Sequence, residues 1–297
     1  MYFFVDKIVK KFKISYIEIK FEIKREKTMK NISRIKELCN LFNLTKDDFI
    51  AFKLFFADRI LLADHDGSIC DTNLVKDELL GEFCRSLLGK TDKNGEVVKD
   101  DVVNKIHRGA HGLPMNMIFV DIVKTVYGRD ISLEEGQVIT NKLNDFIRPS
   151  YMNRKIYDKA AEYHELLNLL GVKQFILTGM ENDMIESSLK NHKIDKYFSG
   201  ILGSEKKKTE WVEEIVKQYP DFKIFATGDA MSEYKATKRE GTVFMGLDFE
   251  NRKESLFPEE VPVLKSYDEL VKKIVMFQKS REKQNSLIIE QSIQNQR

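Results

Sequence analysis

The stretch Arg59-Ile-Leu-Leu-Ala-Asp64-His65-Asp66-Gly67-Ser68 constrains what this chain can fold into more than any other. Four successive apolar residues, Ile60 to Ala63, suit a strand covered on both faces, because a strand with one wet face alternates instead. Two carboxylates one residue apart follow at once, and Gly67-Ser68 lets the backbone turn away. The carboxyl ends of strands in an open α/β sheet are where ligands bind. Two desolvated aspartates at such an edge repel each other and call for a cation or a proton between them. Magnesium suits them, since it takes hard oxygen ligands and needs only one or two carboxylates beside substrate oxygens.

Further along, apolar runs alternate with helical periods. Strands are expected at Val172 to Leu177, Phe198 to Leu202, Phe222 to Ala226, Val243 to Leu247 and Val261 to Leu264. Helices fall between them, at Asp183 to Asn191, Glu210 to Gln218, Ser232 to Arg239 and finally Tyr267 to Phe277. That order predicts α/β architecture, a doubly wound parallel sheet with helices on both faces. Residues 71–170 break it. They read as helices at Leu74 to Leu88, Asp101 to Ile106, Met115 to Tyr127 and Leu133 to Phe146, with loops at Gly89 to Gly95, Gly109 to Pro114 and Pro149 to Asn153. An all-helical section is thus inserted after the first strand, and the α/β part comprises 58–70 and 171–277.

The flanks are different. Residues 1–28 carry most of a local excess of nine Lys or Arg over four acids in the first thirty positions. They form a basic extension that reads first as a loosely tied terminus and second as a surface for anionic lipid or a partner. A helical pair follows at 29–57, with Thr45 and Asp48 spaced as a capping box. The second helix carries Phe49, Phe52, Phe55 and Phe56, a stripe that suits the core or a homodimer contact. Residues 278–297 form a polar tail, a frayed helix or a disordered end.

The 49 basic and 47 acidic residues of the 297-residue chain leave a net charge of +2, so no global field argues for nucleic acid. No run approaches the length of a membrane span. Cys39, Cys70 and Cys84 are odd in number and form no CxxC pair, as expected of a protein of the reducing cytoplasm.

Three strands end in polar residues of a particular kind: Asp64 and Asp66, then Thr178-Gly179, then Gly228-Asp229. In a parallel sheet these ends share one edge. The cluster Lys206-Lys207-Lys208 lies between the second and third, before a helix that Thr209 could cap. Together they make the parts phosphoryl transfer needs: a carboxylate nucleophile, a metal site, and a cation for phosphate oxygens.

With these residues the chain resembles the haloacid dehalogenase-like (HAD) hydrolases, in particular phosphatases related to phosphoglycolate phosphatase that carry a helical cap of the C1 type. Asp64-His65-Asp66-Gly67-Ser68 is similar to their DxDG[T/S] motif, Thr178 to the second motif, a lysine of the cluster to the third, and Gly228-Asp229-Ala-Met-Ser-Glu233 to the fourth. The resemblance covers roughly residues 58–275. It implies a Rossmann-like core, an aspartyl-phosphate on Asp64, and Asp66 as general acid and base. Phosphate would be bound by Thr178, Gly179 and one of Lys206, Lys207 and Lys208, of which Lys208 directly precedes the helix. Mg2+ would be held by Asp64, the backbone carbonyl of Asp66, Asp229 and Glu233, the last directly or in support. His65 stands where an apolar residue is usual, and Glu233 where aspartate is commoner.

Within the insert, His107, Arg108 and His111 on a Gly- and Pro-punctuated loop are candidates for reading the substrate, against the plainer reading of an interhelical loop. His164 and His192 read as surface or core residues, and Trp211 as a packing anchor. The expected activity is a magnesium-dependent phosphatase of a small phosphorylated metabolite. The alternatives are a phosphomutase of the same family and a non-catalytic scaffold.

Overall fold

A computed structural model describes residues 28–110, 113–250 and 255–294. The basic extension therefore lies outside the described residues, apart from Thr28. The chain divides into two compact units, 1–50 and 51–297. In the first, helix α1 spans 28–41, and α2 (Lys46–Phe55) begins there. Thr45 and Asp48 form the expected reciprocal cap. The Thr45 backbone donates to Asp48 Oδ2 at 3.1 Å and the Asp48 backbone to Thr45 Oγ1 at 3.1 Å.

The second unit is built on a parallel sheet of six strands among the described residues: β1 (Arg59–Ala63), β2 (Gln174–Leu177), β3 (Gly200–Leu202), β4 (Lys223–Gly228), β5 (Val243–Leu247) and β6 (Val263–Leu264). Their order is β3-β2-β1-β4-β5-β6. Chain order reverses at β1, which pairs with β2 through Ala63 and Ile176 and with β4 through Ala63 and Thr227. A crevice at the carboxyl edge is the consequence of such a reversal. All five residues of β1 are buried, as a strand sandwiched between helices requires.

Both faces of the sheet are covered. Ile60 and Leu62 point to one side, where they join a core with Val212 and Ile215 of α9 (Lys208–Gln218) and Tyr234 of α10 (Met231–Thr237). On the other, the ring of Phe225 meets Phe55 edge-on at 5.1 Å, and Phe55 in turn meets Phe277 of α11 (Tyr267–Gln294) at 5.8 Å. Phe52, Phe55 and Phe56 are thus spent on the core of one chain, and they no longer argue for a homodimer. Helix α11 extends well past Phe277, so the polar tail is helical to Gln294.

Between β1 and β2 run α3 (Asn73–Leu87), α4 (Asp100–Gly109), α5 (Met115–Tyr127), α6 (Leu133–Met152) and α7 (Ala160–Leu169). Helix α5 stops at Gly128, whose φ of 67° is open to glycine. Helix α6 starts with a capping box between Ser132 and Glu135. Helix α6 also runs through Pro149, where the sequence predicts a loop. The missing N–H weakens its last turn, but Leu143, Ile147 and Tyr151 are fully buried at a spacing of four, and that stripe holds the turn helical. Helix α7 belongs with the sheet and not with α3 to α6: His164 Nδ1 lies 2.7 Å from Gln174 Oε1 on β2.

The two connections between sheet and helical insert lie side by side. Asp71 N donates to Lys155 O at 3.0 Å, and Tyr157 N donates to Ile69 O at 2.9 Å. Among the described residues no helix is long and apolar enough to cross a membrane.

Candidate active site

The loop after β1 is anchored by its own backbone. Asp64 N donates to Thr227 O at 3.0 Å, and the N–H groups of Ile69 and Cys70 both reach His65 O. Gly67 sits at φ 70°, and a Cβ there would stand 2.2 Å from Asn73 Nδ2 and 2.5 Å from Asp229 Oδ2. The glycine is therefore required twice, for its backbone and for letting Asp229 approach.

Around Asp64 the expected residues converge. Lys208 Nζ stands 3.4 Å from Asp64 Oδ1 and donates to Glu233 Oε1, which also accepts from Ser232 Oγ at 2.8 Å. Asp229 Oδ2 accepts from Asn73 Nδ2 at 2.7 Å. Burial pushes the Asp64 carboxyl well above its ordinary value, and the charges of Glu233, Asp229 and Asp66 push the same way against Lys208. Burial alone would lower the Lys208 pKa, but Glu233 and Asp64 reverse this and keep the ammonium charged.

Three carboxylates, Asp64, Asp229 and Glu233, thus share the field of one nearby lysine, an imbalance that a divalent cation corrects. The second oxygen of Glu233 is buried with no partner. Among the described residues no three side chains stand ready at ligand spacing, and Lys208 contacts both Asp64 and Glu233. The donor set is all oxygen, so it fits magnesium in kind.

Asp66 has separate surroundings. Its Oδ1 accepts from Thr72 Oγ1 at 2.5 Å and from the Tyr151 hydroxyl, and lies 3.1 Å from His65 Nδ1. Its Oδ2 is 3.5 Å from Lys76 Nζ. Burial would raise its pKa, but Lys76, His65 and Thr72 together hold it well below the usual carboxylate range. Burial and the Asp66 charge keep the Tyr151 phenol protonated. His65 Nε2 in turn meets Ser188 Oγ at 3.1 Å.

Thr178 follows β2 at the same edge, tied by its N–H to Leu202 O at 3.0 Å, and its hydroxyl accepts from Met180 N at 3.2 Å. Gly179 borders open space.

No family model matches this chain, and no curated protein sequence does. Solved structures do. A predicted phosphatase from Clostridium acetobutylicum has a TM-score of 0.55 at 17% identity over 74% of this chain and 99% of that one. The HAD-hydrolase YfnB from Bacillus subtilis, bound to magnesium, has 0.53 at 18% identity over 73% and 98%. Protein Tyrosine Kinase A from Mycobacterium tuberculosis has 0.54 at 15% identity over 73% and 98%. The fold is that of the HAD-like hydrolases.

Within this HAD-like fold the lysine cluster resolves. Lys206 pairs with Glu214 and lies over the Trp211 ring at 4.4 Å, while Lys208 alone of the three meets Asp64. Helix α9 starts at Lys208, so Thr209 lies inside it and does not cap it. Trp211 is the expected anchor, its Nε1 donating to Gly203 O at 2.9 Å.

The insert candidates are placed differently. His107 and Arg108 lie in the last turn of α4 and not on a loop. Arg108 grips Asp77 of α3 through Nε at 3.0 Å and Nη2 at 2.8 Å, and His107 Nδ1 is 3.4 Å from the same carboxylate. That ion pair holds the helix together and occupies both side chains. His111 lies outside the described residues.

Sequence reasoning missed Thr72, Asn73, Lys76, Tyr151 and Ser188. Thr72 and Asn73 immediately follow the motif loop, where a helix start was legible. Tyr151 was hidden by Pro149, although the Leu143, Ile147, Tyr151 spacing carries the signal.

Proposed function

We propose that this chain is a magnesium-dependent phosphatase that hydrolyses a small phosphate monoester through an aspartyl-phosphate on Asp64. The observation that supports this most is a buried carboxylate at the end of the central strand, 3.4 Å from a half-buried ammonium, with three further acids bearing on it.

Asp64 attacks phosphorus along the line of the leaving oxygen, forming the Asp64–phosphorus bond as the ester bond breaks. Asp66, a carboxylate in the free site, acquires a proton on substrate binding and passes it to the departing oxygen, then takes one from the water that cleaves the aspartyl-phosphate, so phosphate leaves and Asp64 is restored. Lys208, Thr178 and the N–H of Gly179 bind the phosphoryl oxygens and stabilise their charge in the transition state. Magnesium, held by Asp64, the Asp66 carbonyl and Asp229 with Glu233 alongside, would neutralise charge between nucleophile and phosphate. The substrate is a phosphorylated metabolite such as a phosphoglycolate-like or sugar-phosphate-like ester.

The test is phosphate release from an aryl phosphate and a panel of small esters, with and without magnesium, for wild type and Asp64→Asn. Metal-dependent release that vanishes in the variant is expected. A folded wild type that releases no phosphate from any ester would overturn the hydrolytic reading and favour the phosphomutase or the scaffold.

A further inference from the structure

Tyr151 is fully buried at the end of α6, yet its hydroxyl reaches across to the loop after β1. It donates to Asp66 Oδ1 and lies 3.0 Å from His65 Nδ1, and the two rings stack at 5.8 Å and 17°. One tautomer of His65 suits its contacts to Asp66 and Ser188. With the proton on Nδ1, His65 donates toward Asp66 and accepts from Ser188 Oγ through Nε2, leaving the Tyr151 proton for Asp66. Ser188 on α8 (Asn182–Asn191), His65, Tyr151 and Asp66 form one chain of hydrogen bonds.

The opposite connection supplies the second donor. Thr72, just before α3, donates to the same oxygen at 2.5 Å. Each of the two crossings between sheet and insert thus delivers a hydroxyl to Asp66 Oδ1. With His65 Nδ1 at 3.1 Å as well, three groups meet an oxygen that has two lone pairs in its plane, so this oxygen is filled. Oδ2, with Lys76 only at 3.5 Å, is the oxygen with accepting capacity left.

We propose that Tyr151 is a positioning residue that fixes the Asp66 carboxylate so that Oδ2 exchanges the proton with the leaving group and the water, with His65 holding Tyr151 in place. The inference rests on the phosphatase reading above and assigns a task to a residue of the insert. Without the phenol, Asp66 turns about its side-chain bonds and meets the leaving oxygen less often.

The experiment compares Tyr151→Phe with wild type on an alkyl phosphate, whose alkoxide must be protonated to leave, and on 4-nitrophenyl phosphate, whose phenolate leaves unaided. Tyr151→Phe is expected to lower kcat on the alkyl ester about tenfold, a fraction of the whole worth of a general acid, with KM unchanged and the aryl ester nearly unaffected. His65→Leu, which removes the other partner of the phenol and a direct neighbour of Asp66 Oδ1, shifts the same ratio in the same direction. It also keeps the test alive if Tyr151→Phe does not fold. An equal loss on both esters, or no change in the ratio in either folded variant, overturns the positioning role while leaving the phosphatase standing. A wild type inactive on both esters removes the parent reading and this inference with it.

Discussion

Lys208 Nζ lies 3.4 Å from Asp64 Oδ1 although 144 residues separate them in the chain. The parallel order of β3, β2, β1 and β4 brings the two together, and the electrostatics of the site turns on that pair.

Lys208→Met leaves Asp64, Asp229 and Glu233 without their nearby compensating charge. Stability is expected to fall by about 3 kcal/mol in urea unfolding, as when one partner of a buried pair is removed. Phosphate release should fall by at least about 10²-fold, the scale of losing one preorganised charge at a transition state. A stable and active variant would refute both.

Magnesium should stabilise the folded chain, because it relieves repulsion among acids that the unfolded chain does not hold together. At about 100 times its Kd the gain is roughly 2.7 kcal/mol, a rise in Tm of about 5–10 °C. The readout is calorimetry, with no turnover involved. Asp229→Asn is expected to abolish the rise; an undiminished rise would place the ion elsewhere.

Gly228 and Gly179 make opposite predictions. A Cβ at Gly228 would come within 2.7 Å of Glu233 Cγ, so Gly228→Ala must displace the side chain that holds Lys208. A loss of about 1–3 kcal/mol is expected from such overpacking. Gly179 has open space, and Gly179→Ala should change stability by no more than about 0.5 kcal/mol. Paired thermal melts decide, and equal effects would contradict the packing described.

His164 supplies a pH dependence. Burial pushes its pKa down to about 4, against the Gln174 hydrogen bond that raises it. The unfolded chain binds the proton near pH 6.5 and the folded chain does not. Stability is therefore full above that value and falls as pH drops from about 6.5 to about 4, by roughly 3 kcal/mol in total. Denaturant titrations of wild type and His164→Gln over this range measure it. The slope of the wild type should exceed that of the variant.

The sheet and the motif residues were legible for one physical reason. A strand buried on both faces must be apolar throughout, so Ile60 to Ala63 and the runs before Thr178 and Gly228 announce themselves, and parallel order then puts their ends together. The contacts of the insert were not legible. His107 and Arg108 carry the charge expected of substrate readers, but a single acid on the neighbouring helix, Asp77, claims both. Pro149 signals a break by its own chemistry, while the burial of Tyr151 depends on what α6 packs against. Local signals report the backbone preference of each residue; the partner that overrides it comes from elsewhere in the chain.

The paired connections at Ile69 to Asp71 and Lys155 to Tyr157 have an architectural consequence. Since the chain departs and returns within hydrogen-bonding distance, the helical excursion is joined to the sheet by a two-ply strap, beside which Arg148 of α6 pairs with Asp183 of α8 at 2.9 Å. A few glycines could close that gap without rerouting any strand. The sheet is thus separable from the excursion in chain connectivity, while Asn73, Lys76 and Tyr151 of the excursion still touch Asp229 and Asp66. The hydroxyls of Thr72 and Tyr151 and the ammonium of Lys76 report to Asp66 which excursion is attached.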